Sequence, residues 1–178
     1  TISIPDSVTS IGSSAFEDCT GLTTISIPSS VKSIGNGAFS GCKGLTTISI
    51  PNNVEFIGDY VFRSCSGLTS AIISNNMISI VRGMFINCTE LASVTIPEKI
   101  GSINNNAFEG CIKLSEIYCK AYNPPIVDSY AFYGLNKAKL KHIILFVPKE
   151  TSITYKNAIR WKDFGKIVEF ATEKPDEL

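Results

Sequence analysis

The sequence has little charge and no excess of either sign. Charged residues make up 18% of the 178 residues, and 16 Lys and Arg balance 16 Asp and Glu. An ordinary soluble domain carries roughly 25% charged residues. Ser and Thr, 34 residues together, take the place of the missing charge. Because phosphate binding needs a concentrated positive surface, the zero net charge argues against nucleic acid as the main partner.

Long apolar runs and histidines are also scarce. The hydrophobic share of 44% supports a sizeable core. No run approaches the roughly 20 apolar residues that would cross a bilayer as a helix. His142 is the single histidine, and no second ligand or nucleophile stands at a recognisable spacing from it. A catalytic arrangement would have to be built around this one residue. We therefore expect no enzymatic activity, no metal site and no cofactor.

What the sequence has in abundance is repetition, with a period of 23 residues. Four columns hold the same residue in five successive units: Ile4, Ile27, Ile50, Ile73 and Ile96; Phe16, Phe39, Phe62, Phe85 and Phe108; Cys19, Cys42, Cys65, Cys88 and Cys111; Leu22, Leu45, Leu68, Leu91 and Leu114. The unit reads L-x-x-I-x-I-P-x-x-V-x-x-I-G-x-x-A-F-x-x-C-x-x. A fixed period of this length is the signature of stacked repeats.

The spacing within the unit predicts its conformation. From Leu22 to Pro28, apolar and polar residues alternate as in a half-buried strand, and the proline ends the strand. The spacing of Val31, Ile34 and Phe39 suits a turn followed by a short helical or 3₁₀ segment on the opposite side. A single unit cannot bury its own apolar face, so neighbouring units must stack. The strands near 24–27, 47–50, 70–73, 93–96 and 116–119 should therefore form one parallel sheet.

This repeating motif resembles the BspA-like class of leucine-rich repeats. The resemblance implies an α/β repeat solenoid with the parallel sheet on its concave face. Short helical, 3₁₀ or turn segments would form the convex face. Members of the family are mostly bacterial cell-surface or secreted proteins, some of which resemble adhesins. The resemblance therefore implies a secreted or cell-surface location and a role in interaction or adhesion.

The same pattern predicts the boundaries of the chain's parts. Residues 1–119 form five repeats, 120–148 an irregular last repeat with an insertion, 149–172 a cap and 173–178 a tail. The cap resembles that of the family and begins with a short helix capped by Thr151 or Ser152. Its side chains Ile159, Trp161 and Phe164 would cover the last repeat, followed by a strand at 166–170.

The first residues align with the middle of a repeat, which predicts a C-terminal fragment of a longer protein. The first strand would then be an open edge, available for end-to-end association with a second copy.

The cysteines and lysines have structural interpretations. The spacing C-x₂₂-C does not match zinc ligands, and we expect Cys119 and the five ladder cysteines to be buried free thiols. Stacking would bring neighbouring cysteines within disulfide range, which leaves that alternative open. Lys137, Lys139 and Lys141 read as a solvated insertion, or as a weak attraction for an anionic polymer or surface.

The outward positions of the strands are the candidate binding surface. These residues, with one tyrosine beyond the last strand, are Thr24, Ser26, Thr47, Ser49, Ser70, Ile72, Ser93, Thr95, Glu116, Tyr118 and Tyr122. Small and β-branched hydroxyl residues also suit a tightly stacked sheet without any ligand. Three functions remain: binding of a host or neighbouring-cell surface or matrix protein, binding of a glycan on Tyr118 and Tyr122, and a structural spacer.

Overall fold

A computed structural model describes residues 2–170, and it is a solenoid of short parallel strands. In chain order the elements are β1 (Ile2–Ser3), β2 (Ser10–Ile11), β3 (Ile25–Ser26), β4 (Ser33–Ile34), β5 (Thr47–Ser49), β6 (Phe56–Ile57), β7 (Ser70–Ile72), β8 (Ser79–Ile80), β9 (Ser93–Ile96), β10 (Ser102–Ile103), β11 (Glu116–Cys119), β12 (Ile126–Val127), α1 (Lys137–His142), β13 (Ile144–Pro148), α2 (Ser152–Asn157), the 3₁₀ helix η1 (Trp161–Asp163) and β14 (Lys166–Phe170). The predicted parallel-sheet repeat solenoid is confirmed.

The main sheet contains six parallel strands in the order β14-β13-β11-β9-β7-β5. The prediction of one continuous sheet is wrong at the N-terminal end, where β1 and β3 form a separate pair. Strand β3 has only two residues, so little ladder is available to join it to β5. The N–H of Thr46 still donates to the carbonyl of Thr23 at 3.2 Å, which keeps the two coils in contact.

A second set of short strands, which the sequence analysis did not predict, follows the first strand of the coil along the chain. Strands β2, β4 and β6 form one three-stranded parallel sheet, and β8, β10 and β12 form another. Each of these strands has only two residues. Their buried member continues an apolar column, as Ile34 and Ile57 do in register.

The segment before each cysteine consists of turns, not of the short helix that the sequence also allowed. In the first coil the N–H of Phe16 donates to Ala38 of the next coil at 2.8 Å, whereas that of Glu17 donates back to Ser14 at 3.0 Å. Bonds within and between coils alternate in this way along the segment. Ser14 and Asp18 both have φ of 56°. Two left-handed residues four positions apart do not fit a right-handed helix, which explains the turns.

The core is a set of columns that run along the solenoid. Six phenylalanine rings stack face to face, with centroids 5.3–5.8 Å apart; they are Phe16, Phe39, Phe62, Phe85, Phe108 and Phe132. Phe164 ends the column with an edge-to-face contact to Phe132 at 5.5 Å. The predicted Leu and Ile columns are also buried from the second coil onward.

The cysteine column is hydrogen-bonded as well as apolar. The thiol of Cys65 donates to the carbonyl of Phe39 in the preceding coil at 3.1 Å. The same bond recurs at Cys42, Cys88 and Cys111. All six cysteines are free thiols. The prediction that all are buried is wrong for Cys19, because no coil within the described residues covers it on one side.

The C-terminal end closes the core with side chains that do not repeat. The indole Nε1 of Trp161 donates to the carbonyl of Pro125 at 2.7 Å, and Phe164 is also buried. Ile159, predicted to cover the last repeat, is instead 75% exposed. The backbone turns at Arg160, with φ of 71°, so that Trp161 rather than Ile159 enters the core.

The helix α2 begins near the predicted residues but is capped differently. The Thr151 side chain makes no cap bond; its hydroxyl donates to Pro148 at 2.7 Å. A carboxylate oxygen of Glu169 accepts from the N–H of Ser152 at 2.9 Å instead. The predicted strand at 166–170 coincides with β14.

The insertion holds helix α1, whose lysines and His142 lie at the surface or partly buried. Across residues 2–170, no helix is long and apolar enough to cross a membrane. The predicted division into repeats and cap stays a prediction. Residue 1 and residues 171–178, including the predicted tail, lie outside the described residues.

Candidate binding face of the sheet

The outer face of the six-stranded sheet consists of two rows of side chains in strict register. The first row is Thr47, Ser70, Ser93, Glu116, Ile144 and Lys166. The second row is Ser49, Ile72, Thr95, Tyr118, Phe146 and Val168. We call these two rows the sheet face. They arise because successive side chains of a strand point to opposite sides, so that the inner neighbours fill the core.

Eight of the eleven predicted surface residues belong to these rows. Thr24 and Ser26 lie beside or in β3, outside the six-stranded sheet, and both are exposed. Tyr122 is 50% exposed and follows β11 in a loop. The alternation of the repeat therefore placed the strand residues together, whereas Tyr122 does not share their ladder.

The end of the sheet face at β5 carries short hydroxyl side chains. Thr47 and Ser49 are exposed. Hydroxyls just before the strands have a structural role, because that of Thr69 donates to the carbonyl of Thr46 in the preceding coil at 3.0 Å. Ser115 makes the matching bond to Ala92 at 3.1 Å. This end is smooth and offers a partner no large side chain.

The other end of the sheet face is aromatic. The rings of Tyr118 and Phe146 stack with centroids 4.3 Å apart and planes 3° from parallel. The hydroxyl of Tyr118 donates to a carboxylate oxygen of Glu116 at 2.9 Å. Burial, and secondly this carboxylate, raise the pKa of Tyr118 above its ordinary value. The hydrogen bond orients the tyrosine ring against its neighbour.

We call Ile72, Tyr118, Phe146 and Val168 the apolar patch. Ile72 is 49% exposed, and the other three are partly buried. Thr95 lies between Ile72 and Tyr118 in the same row. Tyr118, Phe146 and Val168 occupy adjacent register positions, where large apolar side chains form a continuous surface, and Ile72 lies one position beyond Thr95. This surface can bind a partner by shape and apolar contact.

The sequence reasoning missed Phe146 and Val168 as members of this surface. The signal was present, since L-F-V-P at 145–148 aligns with I-S-I-P at 25–28, which places Phe146 in the row of Ser26. The helix α1 lengthens the preceding segment and hides this alignment. Within residues 2–170, no group of three or more His, Cys, Asp or Glu side chains is placed to hold a metal ion.

The repeated strands, the stacked columns and the exposed sheet face define a leucine-rich repeat solenoid. The family model for the BspA type leucine-rich repeat region matches the chain in six copies, over residues 1–115 and 79–160. The chain belongs to this family. No curated protein sequence matches the chain.

Solved structures of similar fold are bacterial leucine-rich repeat proteins. One from T. pallidum is 21% identical with a TM-score of 0.66, over 98% of this chain and 78% of that one. One from Eubacterium ventriosum is 23% identical with a TM-score of 0.65, over 99% and 44%. A leucine-rich cell surface protein from Faecalibacterium prausnitzii is 22% identical with a TM-score of 0.54, over 98% and 51%. The chain thus spans about half, or less, of the last two. At these identities the likeness concerns the fold.

Proposed function

We propose that this chain is a non-catalytic interaction module that binds a protein partner through the apolar patch of the sheet face. The family suggests a module for interaction or surface display. The observation that carries the proposal is the stacked pair Tyr118 and Phe146, with Val168 in the next register position on one side and Ile72 beyond Thr95 on the other. Aromatic side chains of this kind dominate the energetics of protein interfaces.

The surroundings of the patch favour a protein over a charged polymer. The second row carries no formal charge, and the first row places one acidic and one basic side chain, Glu116 and Lys166, on either side of Ile144. Such a surface provides little long-range electrostatic steering. A partner would bring its own apolar side chains to cover the patch.

We further propose a secreted or cell-surface location, with a surface or matrix protein of a host or neighbouring cell as the partner. A structurally similar protein from Faecalibacterium prausnitzii is described as a leucine-rich cell surface protein, which supports this proposal.

The test is a binding assay on cells and on immobilised matrix proteins, with labelled wild-type chain and the variants Tyr118→Ala and Phe146→Ala. Both variants should reduce the retained protein at least about tenfold, as expected when an interface loses a central aromatic anchor. Thr47→Ala and Ser49→Ala, in the same two rows at the other end of the sheet, serve as matched controls and should retain binding within about twofold.

Thermal denaturation of each variant separates lost binding from lost folding. Retention of Phe146→Ala at the wild-type level, with an intact fold, would refute the assignment of the apolar patch. Failure of the wild-type chain to bind any cell or matrix surface would refute the proposed partner class.

A further inference from the structure

Two tyrosines on the turn side of the solenoid, on either side of Ala131 and Phe132, are exposed. Tyr130 is 56% and Tyr133 is 58% exposed. Their rings form an edge-to-face pair with centroids 5.9 Å apart and planes at 70°. The pair is anchored by its own turn, in which the N–H of Tyr133 donates to the carbonyl of Tyr130 at 3.0 Å. The two rings therefore make an open corner on a rigid backbone.

The neighbouring coil is hydrogen-bonded to the backbone of this corner and carries polar side chains. The N–H of Asn106 donates to the carbonyl of Tyr130 at 3.1 Å, and that of Gly110 to the carbonyl of Tyr133 at 3.3 Å. On this coil Nδ2 of Asn106 donates to Oε2 of Glu109. An amide and a carboxylate therefore belong to the coil that is hydrogen-bonded to the turn of the two tyrosines.

A second polar layer lies behind the corner. Oδ1 of Asn105 accepts from the N–H of Tyr130 at 3.3 Å, and the N–H of Asn105 donates to Oδ2 of Asp128 at 3.1 Å. These bonds join the loop before Tyr130 to the neighbouring coil. They hold the tyrosine backbone in place without using the ring faces.

We propose that Tyr130, Tyr133, Asn106 and Glu109 form a binding site for a neutral pyranose oligosaccharide. The apolar C–H face of a pyranose packs on an aromatic ring, and its hydroxyls exchange hydrogen bonds with amide, carboxylate and phenol groups. The edge-to-face corner offers one ring beneath the sugar and a second at its rim. The carboxylates of Glu109 and Asp128 would repel a uronic or sialic acid, which is why the sugar is neutral.

This site is separate from the apolar patch. There the ring of Tyr118 has one face covered by Phe146, and the neighbours in its row are apolar or Thr. At the corner the neighbours are an amide and a carboxylate. The two surfaces therefore suit different classes of ligand, and one can fail while the other holds.

The experiment is saturation-transfer difference NMR on the full chain with maltotetraose, cellotetraose and N-acetylchitotetraose, backed by a glycan array. At least one neutral oligosaccharide should receive saturation. Tyr130→Ala and Tyr133→Ala should each weaken its binding at least about tenfold, whereas Tyr133→Phe, which keeps the ring, should stay within about threefold.

Two matched controls separate this site from other exposed tyrosines. Tyr122→Ala removes a ring of similar exposure elsewhere, and Tyr118→Ala disrupts the apolar patch; both should leave the oligosaccharide affinity unchanged. Because Tyr130 and Tyr133 are exposed, their alanine variants should fold. Absence of any neutral ligand in both assays, preference for sialylated or uronate glycans, or equal loss in Tyr122→Ala would each overturn the proposal.

Discussion

The regular coils and the C-terminal end fill the same kind of core by different means. In the regular coils one residue type fills each of four core columns, so that the phenylalanine rings stack at nearly constant spacing and each thiol from Cys42 to Cys111 repeats the same bond to a carbonyl. At the C-terminal end the core is filled once by Tyr155 and Trp161, in edge-to-face contact at 5.3 Å. Repetition stabilises the first region, and specific polar bonds stabilise the second.

The comparison also separates scaffold from candidate binding groups. The stacked pair of Tyr118 and Phe146 and the corner of Tyr130 and Tyr133 both lie where the sequence departs from its repeat. In the coils before them, the position shared by Tyr118 and Phe146 mostly holds Ser or Thr, that of Tyr130 holds Ser, Gly, Tyr or Asn, and that of Tyr133 holds Glu, Ser, Arg or Ile. A solenoid keeps its shape through the repeated positions, and its departures are free to carry recognition.

The largest loss of stability is expected from a change in the phenylalanine column of the regular coils. Phe85 is fully buried between Phe62 and Phe108, so Phe85→Ala should lower the free energy of unfolding by about 3–5 kcal/mol. Phe16 is only partly buried, and Phe16→Ala should cost less than half as much. Urea denaturation of both variants measures the difference. Equal losses would contradict the expectation that the cost follows the burial of the ring.

A smaller loss of stability, confined to the C-terminal end, is expected from a change at Trp161. Trp161→Phe keeps a ring but removes the donor to the carbonyl of Pro125, and an orphaned buried carbonyl costs about 1–3 kcal/mol. Hydrogen–deuterium exchange should accelerate over residues 149–170 and stay unchanged over 24–96, because each coil contacts only its neighbours. Faster exchange in the central coils would show that the two regions unfold as one unit.

The smallest effect concerns pH and the buried thiols. Burial raises the pKa of Cys65 to about 12 from an ordinary value of 9.0. The unfolded thiol ionises above pH 9 while the folded one stays protonated, so stability falls as the pH rises through this range. The Cys65→Ala variant lacks this contribution. Its free energy of unfolding should therefore fall by about 1 kcal/mol less than that of the wild type between pH 9 and pH 10.

Cys119 provides the comparison from the other region. Burial raises its pKa to about 11, although the Tyr155 hydroxyl, 3.1 Å from its sulfur, favours the thiolate. In Cys119→Ala the fall in the free energy of unfolding over the same pH interval should also be smaller than in the wild type, by a similar amount. Urea denaturation at pH 8, 9 and 10 measures both variants. A wild-type profile parallel to that of Cys65→Ala would contradict the role of thiol burial.

Much of the fold could be predicted because its signals are periodic. The strands β9 and β11 have the bounds that the alternation predicts, since Val94 and Ile117 point inward between polar or exposed neighbours. The second ladders could not be predicted, because a strand of two residues has no alternation to recognise. The turns were ambiguous since the left-handed column contains Tyr60 and Ser14 as well as glycines, which obscures the usual marker of that conformation.

The candidate site could be predicted only as far as the period held. The strand residues from Thr47 to Tyr118 follow the two-residue alternation, whereas Phe146 is displaced by the insertion. Ile159 and Trp161 are both apolar and two residues apart, so composition cannot tell which one is buried. The backbone turn at Arg160 decides it. Tyr133 occupies a repeat position that holds Ser40 and Glu109 in earlier coils. The repeat pattern alone therefore does not mark it as a candidate binding residue.

Helix α1 has a practical consequence for studying the molecule. Its six residues lie between buried Leu135 and Ile143 in a segment four residues longer than that of a regular coil, yet Glu116 and Ile144 remain paired in the sheet. The chain can therefore change length at this point without shifting the strands. A fluorophore or affinity tag placed in this helix would protrude from the solenoid and report on ligand capture without altering the sheet.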